Sequence, residues 1–298
     1  MSPRTSRSAE WPTLWLILAC YALWGLGTTV VAAAWLPGAI VLTGFTVALF
    51  SSLQHEILHG HPFRNATLNM ALVFPGLTVF IPYLRFRDTH LDHHHDEILT
   101  DPYDDPESNY LDPKVWHRLP RPVRWLLMFN NTLLGRFLIG SLISQAAFMY
   151  WDARAALAGD GRVIRGWLWH IPSLALVFWW LVSVAMMPVW AYLIAAYIGV
   201  SLIKIRTFLE HRAHEDDTCR TAIVEGRGLL AFLFLNNNLH VVHHAHPGVP
   251  WYALPKLYSA NKDQYLARND SYVYRSYGEV FRRFLLRRKD PVPHPFWH

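Results

Sequence analysis

Charge is what this sequence has least of. Of its 298 residues only 16% are Asp, Glu, Lys or Arg, against about 25% in soluble globular chains. An ordinary water-soluble domain is therefore a poor fit. Disorder is excluded too: 52% of residues are hydrophobic and 14 are Trp, whereas disordered segments are charged and poor in aromatics. Cysteine is nearly absent. Two Cys make no disulfide scaffold and no pair with zinc spacing. The chain also shows no Rossmann glycine fingerprint, no cysteine set for an iron–sulfur cluster and no haem domain.

What is present is long uncharged runs and histidine. From Trp11 to Gln54 there is no charged residue, about twice the ~20 residues that one spanning helix needs. Leu36-Pro37-Gly38 interrupts the run with a turn signal. Two spans follow, over 13–35 and 38–54. The pattern recurs from Gly166 to Ile203, broken at Met186-Met187-Pro188, which gives spans over 168–187 and 189–203. The expected fold is all-α: an integral membrane protein of four transmembrane helices in two hairpins, forming one domain over 1–298.

The tight hairpin loops carry no Lys or Arg. Basic residues gather at the N-terminus (Arg4, Arg7), between the hairpins and in the C-terminal part. The positive-inside rule then places both termini and the middle segment in the cytoplasm. A net charge of +5 suits anionic lipid headgroups better than nucleic acid. The apolar stretch 66–84 holds Pro75-Gly76 and is expected to be re-entrant or interfacial. Residues 125–151 mix apolar and polar side chains and read as an amphipathic helix on the membrane surface.

The 17 histidines are clustered. His55 and His59 are spaced i, i+4 at the end of the second expected span, so they share a helical face. The spelling also matches the zinc-protease motif H-E-x-x-H, in which Glu56 acts as base. His90, His93 and His94 follow the spacing i, i+3, i+4, and His240, His243 and His244 repeat it. Two copies of H-x-x-H-H with one H-x-x-x-H point to metal ligation. Zinc takes about four ligands, so this set exceeds what one ion needs. Imidazole suits iron, copper, nickel and zinc alike. If the clusters share a site, 66–84 must return to the side it left. A histidine-rich metal transporter is the alternative class, but its sites belong near the bilayer midplane, not at span ends.

This order of hairpins and histidine boxes resembles the membrane fatty acid desaturase superfamily, which includes acyl-lipid desaturases and carotenoid ketolases. The resemblance implies a cytoplasmic helical cap holding two iron ions through His55, His59, His90, His93, His94, His240, His243 and His244. It adds His211, from Phe208-Leu209-Glu210-His211-Arg212, with His214 as competitor. Asp92, Asp96 and Asn237 are candidates to support the ligands, as are acids between Thr100 and Ser108. The implied chemistry uses O2 to introduce a double bond into a fatty acyl chain of an acyl-lipid or acyl-carrier. The alternative is hydroxylation or ketone formation on a carotenoid or another amphipathic metabolite. The residues after the third box, His243-His244-Ala245-His246-Pro247 and Pro250-Trp251-Tyr252, also resemble carotenoid ketolases. Electrons are expected from a ferredoxin-like or cytochrome-type donor. The bacterial character of the acidic stretch points to a bacterial inner membrane.

Overall fold

The first helix, α1 (Trp11–Leu26), has a proline in its first turn, where the missing N–H costs nothing. It runs on through a π-helical turn, Gly27–Val31, to Ala32–Ala34. The wide turn frees the Thr28 carbonyl, which accepts from the Met186 and Met187 N–H groups at 2.9 and 3.0 Å. Those residues join the later helices α8 (Gly161–Ser183) and α9 (Val189–Thr207). A backbone irregularity in one hairpin thus closes the loop of the other. This computed structural model describes residues 9–297, so Arg4 and Arg7 lie outside the described residues.

Only Trp35 separates α1's extension from α2 (Leu36–Leu58). The Leu36-Pro37-Gly38 turn signal therefore marks the first turn of α2. Packing between α2 and α9 is close because small residues line the seam. A Cβ on Gly199 would lie 2.6 Å from Val47 and 2.9 Å from the Gly44 carbonyl. Ala48, Ala195 and Ala196 are fully buried nearby. Small residues let helix backbones approach in this way in apolar surroundings. Both helices end on the same side, which is where the histidines collect.

After α3 (Ala66–Leu72), residues 73–82 are irregular. Side chains of the long helices cap the carbonyls of this region. Tyr21 donates to Leu72, Ser173 to Phe74, Tyr192 to Leu77, His170 to Val79 and Gln145 to Phe80. Irregular backbone is tolerated among apolar helices only when its polar groups are satisfied. The chain then turns into α4 (Tyr83–His93). Arg85 anchors that helix with a two-pronged contact to Asp152 at 3.0 and 2.9 Å, and Trp167 donates to the same carboxylate.

Short helices α5 (Pro113–Arg118) and α6 (Arg121–Asn130) precede α7 (Leu133–Leu157). The single amphipathic helix expected over 125–151 is thus two, broken at Asn131-Thr132. Thr132 caps α7 by accepting from Gly135 N–H. Among the described residues five helices are long and apolar enough to cross a membrane, one more than expected. The fifth is α7, because its charges sit at its ends (Arg136, Asp152, Arg154) and 137–151 has none. The C-terminal part adds α10 (Leu229–Leu233), α11 (His240–Ala245), α12 (Leu254–Ala260), α13 (Lys262–Arg268) and α14 (Tyr277–Phe284). One parallel pair, β1 (Ile223–Val224) with β2 (Val273–Tyr274), is the only named sheet among the described residues. The fold is mostly helical.

Gly199→Val should wedge α2 from α9 and cost ~1–3 kcal/mol by overpacking, read as a lower thermal midpoint of the detergent-purified protein. Gly161→Ala, where a Cβ meets nothing within 4 Å, should leave the midpoint unchanged.

Candidate metal centre

Four pieces of chain bring histidines to one place. The last turn of α2 carries His55, and His59 caps it. The end of α4 carries His90 and His93, with His94 as its cap. The segment after α9 carries His211, fixed by an antiparallel bridge to Thr221. Helix α11 carries His240, His243 and His244.

The nine rings sort into two groups. His55, His59, His90, His94 and His243 form one, and His93, His211, His240 and His244 the other; ligand atoms within each group lie within 4.8 Å of one another. Neighbours in sequence are divided between groups, His93 from His94 and His243 from His244. Adjacent residues point about 100° apart on a helix, so α4 and α11 each serve both groups.

The ring nitrogens have directions that can be read. The Nδ1 of His90 lies 2.8 Å from Glu107 Oε1, and that of His93 2.7 Å from Asp105 Oδ1. His240 Nδ1 lies 2.9 Å from Asn237 Oδ1. An oxygen that only accepts requires Nδ1 to carry the proton. In a neutral ring the Nε2 is then a bare lone pair. Those Nε2 atoms face each other: His93 and His240 lie 2.9 and 3.1 Å from His211 Nε2, and His90 and His243 lie 3.0 and 3.1 Å from His94 Nε2. Metal–imidazole bonds run ~2.0–2.1 Å, so two ligands at right angles about one ion sit about 3 Å apart. His59 Nε2 is buried with no hydrogen-bond partner, as a nitrogen aimed at an ion would be. The residues fit a pair of metal ions bound by neutral imidazole.

Electrostatics agree with that form. Burial, with neighbouring imidazoles adding to it, holds His59, His94, His211, His240 and His243 below the usual histidine range. His93 goes the other way. Burial opposes its charge, but Glu107 and Asp105 outweigh burial and push it up to about 9. Such carboxylates make a ligating histidine more basic and fix its ring. Asp105 is itself held, accepting from the Thr100 and Glu107 N–H groups at 2.9 Å each.

Of the supporting residues named from sequence, Asn237 reaches the site, contacting both His240 and, at 3.4 Å, His55 Nε2. Asp92 is exposed and takes no part in the carboxylate–imidazole contacts. The side chain of Asp96 lies outside the described residues. His214 belongs to neither group; its Nδ1 pairs with the Asp216 N–H at 3.0 Å. Glu56 also belongs to neither. Its Oε1 accepts from Trp251 N–H, and it clusters instead with His61 and Glu10. Sequence reasoning missed Glu210, whose Oε1 lies 3.5 Å from His240 Nδ1 and 2.7 Å from Arg206 Nε. Its one signal was its position beside His211. Asp105 and Glu107 were visible only as members of an acidic stretch.

Two histidine ligand sets side by side at one end of a bundle of membrane-length helices define a multi-pass membrane protein built around a candidate di-metal centre. The pattern of the fatty acid desaturase family matches residues 31–276, and the chain belongs to that family. Its relatives include beta-carotene ketolases of two strains of Paracoccus sp. One is 26% identical over 251 residues and the other 28% over 256, each match covering 81% of this chain and 86% of the relative.

Replacing Asp105 by Ala should weaken binding of Co2+ to metal-stripped protein by ~10–100-fold, the usual cost of losing a partner behind a ligand. Asp92→Ala should leave it unchanged. Titration followed by visible absorption measures both.

Proposed function

We propose that the protein is an O2-dependent di-iron oxidoreductase of the membrane that oxidises unactivated C–H bonds of a long apolar substrate. The observation that carries this reading is the division of nine imidazoles into adjacent groups of five and four. His55, His59, His90, His94 and His243 hold one iron, and His93, His211, His240 and His244 the other. Bound iron supplies O2 activation and removal of hydrogen from a CH2 group. The protein's own part is placement. Nδ1 protons on His90, His93 and His240 stay with Glu107, Asp105 and Asn237, which leaves Nε2 free to ligate. Burial of His55, His90, His93, His240 and His243 excludes water from the reacting carbon. The apolar helices deliver that carbon from the bilayer, and orientation near the irons selects the position oxidised. Electrons come from a ferredoxin-like or cytochrome-type donor docking at the histidine end.

Two outcomes are open to this site. Removal of two hydrogens from a fatty acyl chain gives a double bond and water, and membership of the desaturase family favours it. Insertion of oxygen gives an alcohol or ketone, and the two relatives named beta-carotene ketolases favour that.

A four-span arrangement, with the chain as one domain over 1–298, is supported by how α7 is tied down. At its start Leu134 N–H donates to the Leu285 carbonyl, and Lys289 N–H donates to that of Asn131. Lys289 Nζ in turn donates to the His211 carbonyl. Near its end Asp152 holds Arg85, on the helix that carries His90. A helix with both ends tethered to histidine-bearing elements lies along the membrane rather than across it. Both termini and the cap then face the cytoplasm, in the inner membrane of a bacterium.

Expression in a host with both fatty acids and carotenoids, fed 18O2, tests the function. Loss of two hydrogens from an acyl chain marks a desaturase, and 18O in a pigment or lipid marks an oxygenase. Neither product, with fewer than two irons per chain, sinks the proposal. His94→Ala should lower turnover by at least about 10³-fold and reduce bound iron, whereas His214→Ala should retain most activity.

A further inference from the structure

Two stretches far apart in sequence carry no carboxylate at all. Residues 113–130 hold Lys114, Arg118, Arg121 and Arg124; residues 280–289 hold Arg282, Arg283, Arg287, Arg288 and Lys289. The fold brings their ends together through hydrogen bonds between Asn131 and the 289–290 backbone. Between their basic residues both expose large apolar side chains. Helix α6 has no buried residue, and Trp125 is 68% exposed, with Leu126 and Phe129 beside it. In the other stretch Leu286 is 71% exposed, flanked by Phe281 and Leu285. The second stretch is no loose tail. Its last residue, Lys289, turns inward onto the His211 carbonyl and the Tyr272 hydroxyl.

We infer that these stretches form one in-plane surface that binds the anionic phospholipids of the leaflet on the histidine side. Aromatic and aliphatic side chains alternating with arginine, on α6 and on α14 with the bends that follow it, suit the boundary between headgroups and acyl chains. Basic residues there attract anionic lipid and little else in a neutral membrane. Place in the fold agrees: α7, of membrane-spanning length and hydropathy, begins three residues after α6 ends. An acidic protein partner would explain the arginines but not the exposed Trp125 and Leu286.

Full-length protein in nanodiscs of phosphatidylcholine with phosphatidylglycerol tests this. Cys20 and Cys219 are buried, so a nitroxide on Leu286→Cys reports that position alone. It should be more accessible to O2 than to a water-soluble nickel chelate, as a group within the acyl boundary is. Replacing Arg121, Arg282, Arg287 and Arg288 by Ser should lower phosphatidylglycerol retained over phosphatidylcholine at least about fivefold, counted by mass spectrometry of the released protein. These residues are exposed, and an unchanged thermal midpoint will show that the variant folds. A label in water, or lipid retention unaltered in the folded variant, overturns the inference and makes this a surface for an acidic protein instead.

Discussion

Bare Nε2 lone pairs, buried and crowded to about 3 Å, dictate the rest of this protein. Neutral imidazoles packed so closely repel one another unless a cation sits among them. His211 Nε2 faces both His93 and His240, and one nitrogen cannot donate a proton to two neighbours. Neutral His240 cannot supply it, since its one proton goes from Nδ1 to Asn237; His93, its pKa raised by Glu107 and Asp105, can donate from Nε2 to His211 when no metal is there. A cation among these nitrogens would relieve that crowding, which links metal binding to the packing of the cap.

Holding nine rings to that tolerance sets demands on the helices beneath. The glycine and alanine seam between α2 and α9 fixes the relative height of His55 and His211. Arg85 and Asp152 fix α4, which has little apolar surface with which to anchor itself. The irregular segment 73–82 lets the chain leave the histidine side after box one and come back to it before box two. Four side chains from α7, α8 and α9 satisfy its carbonyls, so the detour is compatible with apolar surroundings. The basic stretch 280–289 and the site share a direct link through Lys289.

The histidine boxes were legible because ligation needs spacing that a helix face imposes, and i, i+3, i+4 survives in one dimension. The long helices were legible because apolar runs without charge have few other uses. Legibility failed where two distant segments decide together. Nothing local separates Asp105 and Glu107 from Asp92. The first pair lies on a loop that folds back over α4, whereas Asp92 points away from the rings although it lies between them in sequence. The break between α6 and α7 was illegible for a related reason: Asn131 is held by the Asp290 carbonyl, far along the chain, and Gln145, polar in sequence, caps the Phe80 carbonyl.

The sequence by itself determined the histidine spacing, the helical class and the family, since each rests on residue identity and short-range periodicity. Only the tertiary structure decided which histidines stand together. Sequence neighbours such as His243 and His244 part company because successive side chains leave a helix in different directions. Residues more than a hundred positions apart, such as His93 and His211, meet because α4 packs against α8 and α2, which sets its end beside the segment that follows α9.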